Sequence, residues 1–245
     1  MTDVGDVSLV LRMGVRDREK GTVTITQEKY TKPLLERYGM VSCNSTYTPG
    51  MGKELSLDRP EERLLSKEEK QRFKAITGSA MYLGQVTRYD ILYAVNRLAK
   101  AMSKPSKAHM AAAKHLLRYL DFAITYKKDG FKLTAFSDAN WGNNPDNGKS
   151  MSSYVVFLAN APVSFKVGLQ GLTTQSTMGA ELVAAALAMK EAVFCSNMMK
   201  ELGLGAHFDS VPLYIGNISA LHVAGNRTNS SRVKHVALRL SLIHI

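Results

Sequence analysis

The alternation of apolar and polar residues predicts a hairpin and a helix at the start of the chain. Two β-prone runs, Val7–Val15 and Gly21–Thr26, flank a highly charged stretch, and the glycine at its end suits a turn. Apolar residues at helical spacing then follow from Tyr30, and Gly39 is expected to stop this helix. The first segment therefore begins as a small α+β unit.

Three further helices are predicted before residue 121. Ser66 and Glu69 have the spacing of a capping box, which predicts a helix from Ser66 to about Leu83. Apolar periodicity predicts two more helices, Asp90–Lys100 and Lys107–Leu120, with a proline between them.

The second half of the chain has the pattern of short strands leading into helices. The predicted elements are strands Phe131–Phe136, Ser153–Leu158 and Ala161–Lys166, a long helix Thr177–Leu202, strand Val211–Ile215, helix Ile218–Val223 and an amphipathic piece from Val233. This order favours a mixed α/β sheet. We place a domain boundary near Ala123–Gly130, which gives the segments 1–125 and 126–245.

Composition narrows the class of protein. The 245 residues are 45% hydrophobic and carry a net charge of +11, which favours a polyanionic partner. The two cysteines, Cys43 and Cys195, exclude a thiolate zinc site and a disulfide framework. Neither an export signal nor a membrane-length apolar run is visible, so we expect an intracellular location, cytoplasmic or nuclear, without secretion or membrane contact.

Two predicted helices are basic and lack acidic residues. Between Ile91 and Leu120 there is no Asp or Glu. The cations there fall into two sets with helical spacing, and the sets are Arg97, Lys100 and Lys104, then Lys107, Lys114 and Arg118. Each set is expected to lie along one face and to contact phosphates, and the alternative is an ordinary solvated helix surface.

Three residues in the second half are candidates for chemistry. Asp138 is predicted just past the end of an apolar strand, where α/β sheets carry functional groups, although a turn residue is the plainer interpretation. Glu181 lies among apolar residues near the start of the long helix, where it either forms part of a site or favours the helix N-terminus. Trp141 either stacks on a base or sugar or belongs to the core.

The order of several motifs resembles one family. The motifs are Gly78–Leu83, Thr87–Val95, His109–Leu120, Ser137–Trp141, Ala161–Lys166, Ser176–Ala186 and Lys190–Phe194. In this order they resemble the segment that joins reverse transcriptase to ribonuclease H, followed by the ribonuclease H domain, in the Pol polyproteins of copia-type LTR retrotransposons. The resemblance implies a ribonuclease H-like mixed sheet with flanking helices, preceded by a small segment of hairpin and helices.

The resemblance also implies a site with two Mg²⁺ ions that cuts the RNA strand of an RNA–DNA hybrid. By position, Asp138 and Glu181 match two of the four expected carboxylates and are the implied Mg²⁺ ligands, while Gly216 and Ala237 stand at the other two places. His235 matches a residue implied to assist product release, with a surface or phosphate-facing role as the alternative. The closing stretch Ser210–Ile245 has no acidic residue, so Arg232 and Lys234 extend the positive surface and join Trp141 as candidate nucleic-acid contacts.

Two missing carboxylates predict that hydrolysis is lost or severely impaired, because paired Mg²⁺ ions need several shared anionic ligands. The leading hypothesis is therefore a Pol remnant, shortened at its C-terminus, that still binds nucleic acid. The resemblance also implies the rest of a Pol polyprotein as a second partner and a virus-like particle as a further location. An active Mg²⁺-dependent ribonuclease H and a non-catalytic nucleic-acid clamp are the alternatives. Polymerase activity is not expected, because the resemblance implies a polymerase motif with two adjacent aspartates and the sequence has no Asp-Asp pair.

Overall fold

The fold is taken from a computed structural model of the chain. It describes residues 8–11, 13–16, 21–51, 64–120, 123–127, 132–142, 144, 148–204, 208 and 210–225. The chain divides into two compact units, Met1–Thr125 and Tyr126–Ile245. Each unit has its own buried apolar clusters.

A small sheet opens the first unit. Its strands are β1 Leu9–Val10, β2 Met13–Arg16, β3 Thr22–Thr26 and β4 Ile124–Lys127, in the spatial order β1-β2-β3-β4. Strands β2 and β3 are antiparallel, with Val15 opposite Ile25, so the hairpin between the two predicted runs is confirmed there. The first run is not one strand as predicted, because β1 and β2 turn back on each other and pair antiparallel, with Val10 opposite Met13. Val7 and residues 17–20, which belong to the same prediction, lie outside the described residues.

Helices form the core of the first unit. They are α1 Glu28–Arg37, α2 Lys67–Val86, a 3-10 turn Tyr89–Ile91, α3 Leu92–Lys100 and α4 Lys107–Leu117. The predicted capping box at α2 is confirmed, because the Glu69 N–H donates to Ser66 Oγ at 3.2 Å and the Ser66 N–H donates to Glu69 Oε2 at 3.0 Å. Phe73 and Leu116 are fully buried where these helices pack together.

The second unit is built on a mixed four-stranded sheet. Its strands are β5 Leu133–Asn140, β6 Met151–Leu158, β7 Ala161–Leu169 and β8 Leu213–Ile215, in the order β7-β6-β5-β8. Strand β6 is antiparallel to β5 and β7, whereas β8 runs parallel to β5. The predicted mixed α/β fold class is confirmed.

Two α-helices are described in the second unit, α5 Thr177–Met199 and α6 Ile218–Gly225, and a π-helical turn Lys200–Leu204 continues α5. The first half of α5 is almost entirely small and apolar, so its backbone can lie close to the sheet and to α6. Leu182 and Val183 pack with Ala220 of α6, and Ala192 packs with Leu133 of β5.

Two predicted placements are wrong. Asp138 lies inside β5 and not past its end, because β6 pairs with β5 as far as Asn140. Lys104 lies beyond the end of α3, which stops at Lys100, so the cations of the first set do not share one helical face. Helix α4 also ends at Leu117, three residues earlier than predicted.

The predicted amphipathic piece from Val233 lies outside the described residues. Within the described part of the chain, no helix combines the length and the apolar character that a membrane span requires.

The capping box makes a stability prediction for the first unit. Ser66→Ala removes the hydroxyl that accepts from the Glu69 N–H and should lower the free energy of unfolding by about 1 kcal/mol. The urea midpoint measured by circular dichroism tests this expectation. Ser103→Ala, at an exposed position in the connection between helices, serves as the control. An equal shift in both variants would contradict a role of the capping box.

Candidate functional site

Asp138 and Glu181 interact electrostatically where the start of α5 packs on β5. Asp138 is exposed on β5, on the face opposite the buried side chains of Ala135 and Ser137. Helix α5 begins after Ser176, whose hydroxyl accepts from the Gly179 N–H at 3.0 Å. This cap sets the start of the helix, so that Glu181 follows within its second turn and is only 7% exposed.

Burial and charge act together on Glu181. Burial raises the pKa of its carboxyl group above the ordinary value of 4.5, and the negative charge of Asp138 raises it further. The Ala139 N–H donates to the same carboxylate and partly offsets this increase in pKa. Glu181 Oε2 is buried and accepts no hydrogen bond from the described residues. One carboxylate oxygen therefore remains available to a proton or a cation.

Gly216 occupies the place beside this pair. Strand β8 runs parallel to β5 with Ile215 opposite Ser137. Gly216, the residue that follows β8, therefore lies next to Asp138. A Cβ at Gly216 would lie 3.9 Å from Asp138 Oδ1, which is ordinary van der Waals contact. A carboxylate side chain at this position would thus be adjacent to Asp138.

Asn217 does not supply the missing acid. Its Oδ1 accepts a hydrogen bond from the Ala220 N–H at 3.0 Å and so caps the first turn of α6. The side chain is neutral and already engaged, which makes it a poor substitute for a carboxylate ligand.

The described residues do not fit a pair of Mg²⁺ ions. Asp138 and Glu181 supply two negative charges against the four positive charges of two such ions. Within the described ranges, no group of three or more acidic, histidine or cysteine side chains is arranged to hold a metal ion. The free Oε2 of Glu181 and the exposed Asp138 are suitable oxygen ligands for one cation at most.

Gln170 is a supporting residue that the sequence analysis did not single out. Its buried side-chain Nε2 donates to the Ala180 carbonyl at 2.8 Å and to Ser152 Oγ at 2.7 Å. These bonds join the first turn of α5 to the sheet next to Glu181. A glutamine directly after an apolar strand was the only sequence signal, and its partners are distant in sequence.

Trp141 follows β5 and is about half exposed. Its indole N–H donates to the Thr174 carbonyl at 2.9 Å, so one edge of the ring is anchored while the rest faces outward.

The predicted nucleic-acid contacts of the first unit divide into two groups. Lys104, Lys107 and Lys114 are exposed, and the last two lie on one face of α4 because they are seven residues apart. Arg97, Lys100 and Arg118 are half-buried. The Arg118 Nε–H donates to the Asn44 carbonyl at 2.6 Å, so this side chain also holds the local structure.

Four predicted site residues, Arg232, Lys234, His235 and Ala237, lie outside the described residues.

Comparison with known proteins decides the family. The chain is 32% identical over 220 residues to the retrovirus-related Pol polyprotein from transposon RE2 of Arabidopsis thaliana, which covers 87% of the chain. It is 30% identical over 249 residues to the corresponding polyprotein from transposon TNT 1-94 of Nicotiana tabacum, which covers 98% of the chain. The chain belongs to the copia-type retrotransposon Pol polyproteins. The resemblance inferred from the motifs is thereby confirmed.

The matched region is a small part of each Pol polyprotein. The chain spans 15% of the length of the RE2 polyprotein and 18% of the TNT 1-94 polyprotein. No protein-family model matches the chain.

The raised pKa of Glu181 predicts how the stability of this Pol segment depends on pH. The folded chain keeps the proton of Glu181 to a higher pH than the unfolded chain, so this group lowers stability as the pH rises from about 4.5 through the folded pKa. Glu181→Gln removes the penalty. In metal-free buffer the variant should melt at a higher temperature than the unmodified chain at pH 7, and the difference should vanish below about pH 4.

Glu36→Gln, at an exposed position on α1, is the control for this pH series. Equal melting temperatures of the Glu181→Gln variant and the unmodified chain at pH 7 would refute the assignment of a buried, destabilising carboxylate.

Proposed function

We propose that this Pol segment binds the backbone of nucleic acid, including RNA–DNA hybrids, and has lost or severely reduced ribonuclease H-type hydrolysis. The observation that carries the proposal is the position of Gly216, which places a glycine where a third carboxylate would lie next to Asp138. The likeness to Pol polyproteins supports the choice of nucleic acid as the ligand.

The chemistry of phosphodiester hydrolysis explains why Gly216 matters. A two-metal site activates water with one ion and stabilises the leaving oxygen with the other, and the ions lie about 3.5–4 Å apart. Shared carboxylates offset the repulsion between the two cations. With only Asp138 and Glu181, the repulsion is only partly offset, so paired binding should be weak.

Binding does not depend on the missing acid. The exposed Lys104, Lys107 and Lys114 lie in a stretch without Asp or Glu, and the chain as a whole carries a charge of +11. Contacts from lysines to phosphates carry no base information, so we propose binding without sequence preference.

Restoring the acid at Gly216 tests the loss of hydrolysis. Gly216→Asp fits sterically and should add a ligand beside Asp138. We expect Gly216→Asp/Ala237→Asp to cleave a labelled RNA–DNA hybrid in Mg²⁺ at least about 100-fold faster than the unmodified chain, since even residues that only orient metal ligands contribute 10–100-fold. Gly216→Asp alone should gain Mg²⁺-dependent thermal stability.

Gly216→Asn is the control, because it has the same shape without the charge. It should gain neither Mg²⁺-dependent stability nor cleavage. Cleavage by the unmodified chain at the rate of the doubly restored variant would disprove the proposed loss of hydrolysis. It would favour an active nuclease, in which substrate phosphates replace the missing metal ligands.

The salt dependence of affinity tests the binding surface. The logarithm of the affinity for a hybrid should fall linearly with the logarithm of salt concentration, with a slope near −0.9 per phosphate contacted. Lys104→Gln/Lys107→Gln/Lys114→Gln should reduce the size of this slope by two to three units, measured by fluorescence anisotropy between about 50 and 200 mM salt.

Lys29→Gln/Lys67→Gln/Lys74→Gln removes the same charge from exposed positions on α1 and α2 and is the matched control. An equal loss of slope in both triple variants would show that net charge, and not the surface around α4, governs binding.

A further inference from the structure

An exposed apolar ridge runs along the second half of α5 and its π-helical continuation. Phe194 and Met198 are four residues apart and therefore lie along one side of α5. Leu202 follows in the π-helical turn, after the end of α5. Phe194 is 59% exposed and Leu202 is 65% exposed, and Val193 widens the surface at one end. We call these four residues the α5 ridge. Grouped large apolar side chains of this kind mark a surface that binds another protein.

Opposite charges stand at the two ends of the α5 ridge. Lys190 lies one turn before Phe194, and Glu201 is next to Leu202, and both charged side chains are exposed. Lys190 lies in α5 and Glu201 in the π-helical turn, eleven residues further along the chain. Neither has an ion-pair partner among the described residues.

We propose that the α5 ridge binds the same ridge of a second copy of the chain, with the two helices antiparallel. A two-fold axis near residues 195 and 196 brings Lys190 of one copy against Glu201 of the other. Val193 of one copy then faces Met198 of the other. Because the contact is symmetric, each pairing occurs twice.

Charge selects this occupant and this orientation. A parallel pair in the same register would place Lys190 against Lys190 and Glu201 against Glu201, which is unfavourable. In the antiparallel pair, each charge at the ends of the ridge meets the opposite charge of the other copy, so no other protein is needed to supply it. The four apolar residues of the ridge are far fewer than the roughly 20–30 residues per partner of a standard interface, so the dimer is weak and depends on concentration.

The dimer is independent of the proposed nucleic-acid function. Phe194 lies 13 residues after Glu181, which is about 20 Å along the helix axis. Pairing through the ridge therefore leaves the carboxylate pair and the start of α5 uncovered.

Sedimentation equilibrium of the full chain tests the proposal. Between about 5 and 200 µM, the weight-average mass should rise from the monomer value of 27.0 kDa toward twice that value. Phe194→Glu should weaken association at least about tenfold. Tyr47→Glu, at a 99% exposed aromatic residue of the other unit, is the matched control and should associate like the unmodified chain.

A charge exchange identifies the antiparallel pairing. Lys190→Glu and Glu201→Lys should each weaken association about tenfold at low salt, and Lys190→Glu/Glu201→Lys should restore it. Restoration supports the proposal even if Phe194→Glu fails to fold, which circular dichroism would reveal. A monomer at every concentration, as expected if residues 226–245 or another protein cover the ridge, would overturn the proposal. Failure of the double exchange to restore association would also overturn it.

Discussion

The second unit depends on the close packing of α5 against β5. Small side chains in the first half of the helix let the backbones approach, and the Ser176 cap fixes where the helix begins. Together they hold Glu181 beside the last residues of β5. There the Ala139 N–H donates to the Glu181 carboxylate, and the charge of Asp138 acts on it. The electrostatic cost of two neighbouring acids follows directly from this packing.

Such a pair is costly in a folded protein unless a cation or a proton compensates its charge. The raised pKa of Glu181 means that its carboxyl group keeps a proton to a higher pH than an exposed glutamate does. With glycine at position 216, no third acid adds to the repulsion between Asp138 and Glu181. Under the proposed function, the same position therefore weakens metal binding and lowers the electrostatic cost of folding without metal.

Local signals in the sequence predicted the elements well. Ser66 and Glu69 lie three residues apart and interact with each other, so the capping box was visible without knowledge of the fold. The length of β5 was not visible in this way, because its last residues are held by pairing with Ser153 and Met151 of β6. The role of Gln170 could not be predicted from the sequence either, because its partners Ser152 and Ala180 are distant in sequence and contact it only in the folded chain. The closeness of Asp138 and Glu181, by contrast, followed from the family pattern.

The backbone conformation at Gly216 determines which mutations at this position the fold can accept. This glycine is not in the left-handed region, and nothing crowds its missing Cβ except the ordinary contact with Asp138. The position therefore has room for a Cβ, and any glycine codon is one nucleotide away from an acidic codon. Under the proposed function, an acid at this strand end could be lost or regained by a single nucleotide change without a shift of the backbone.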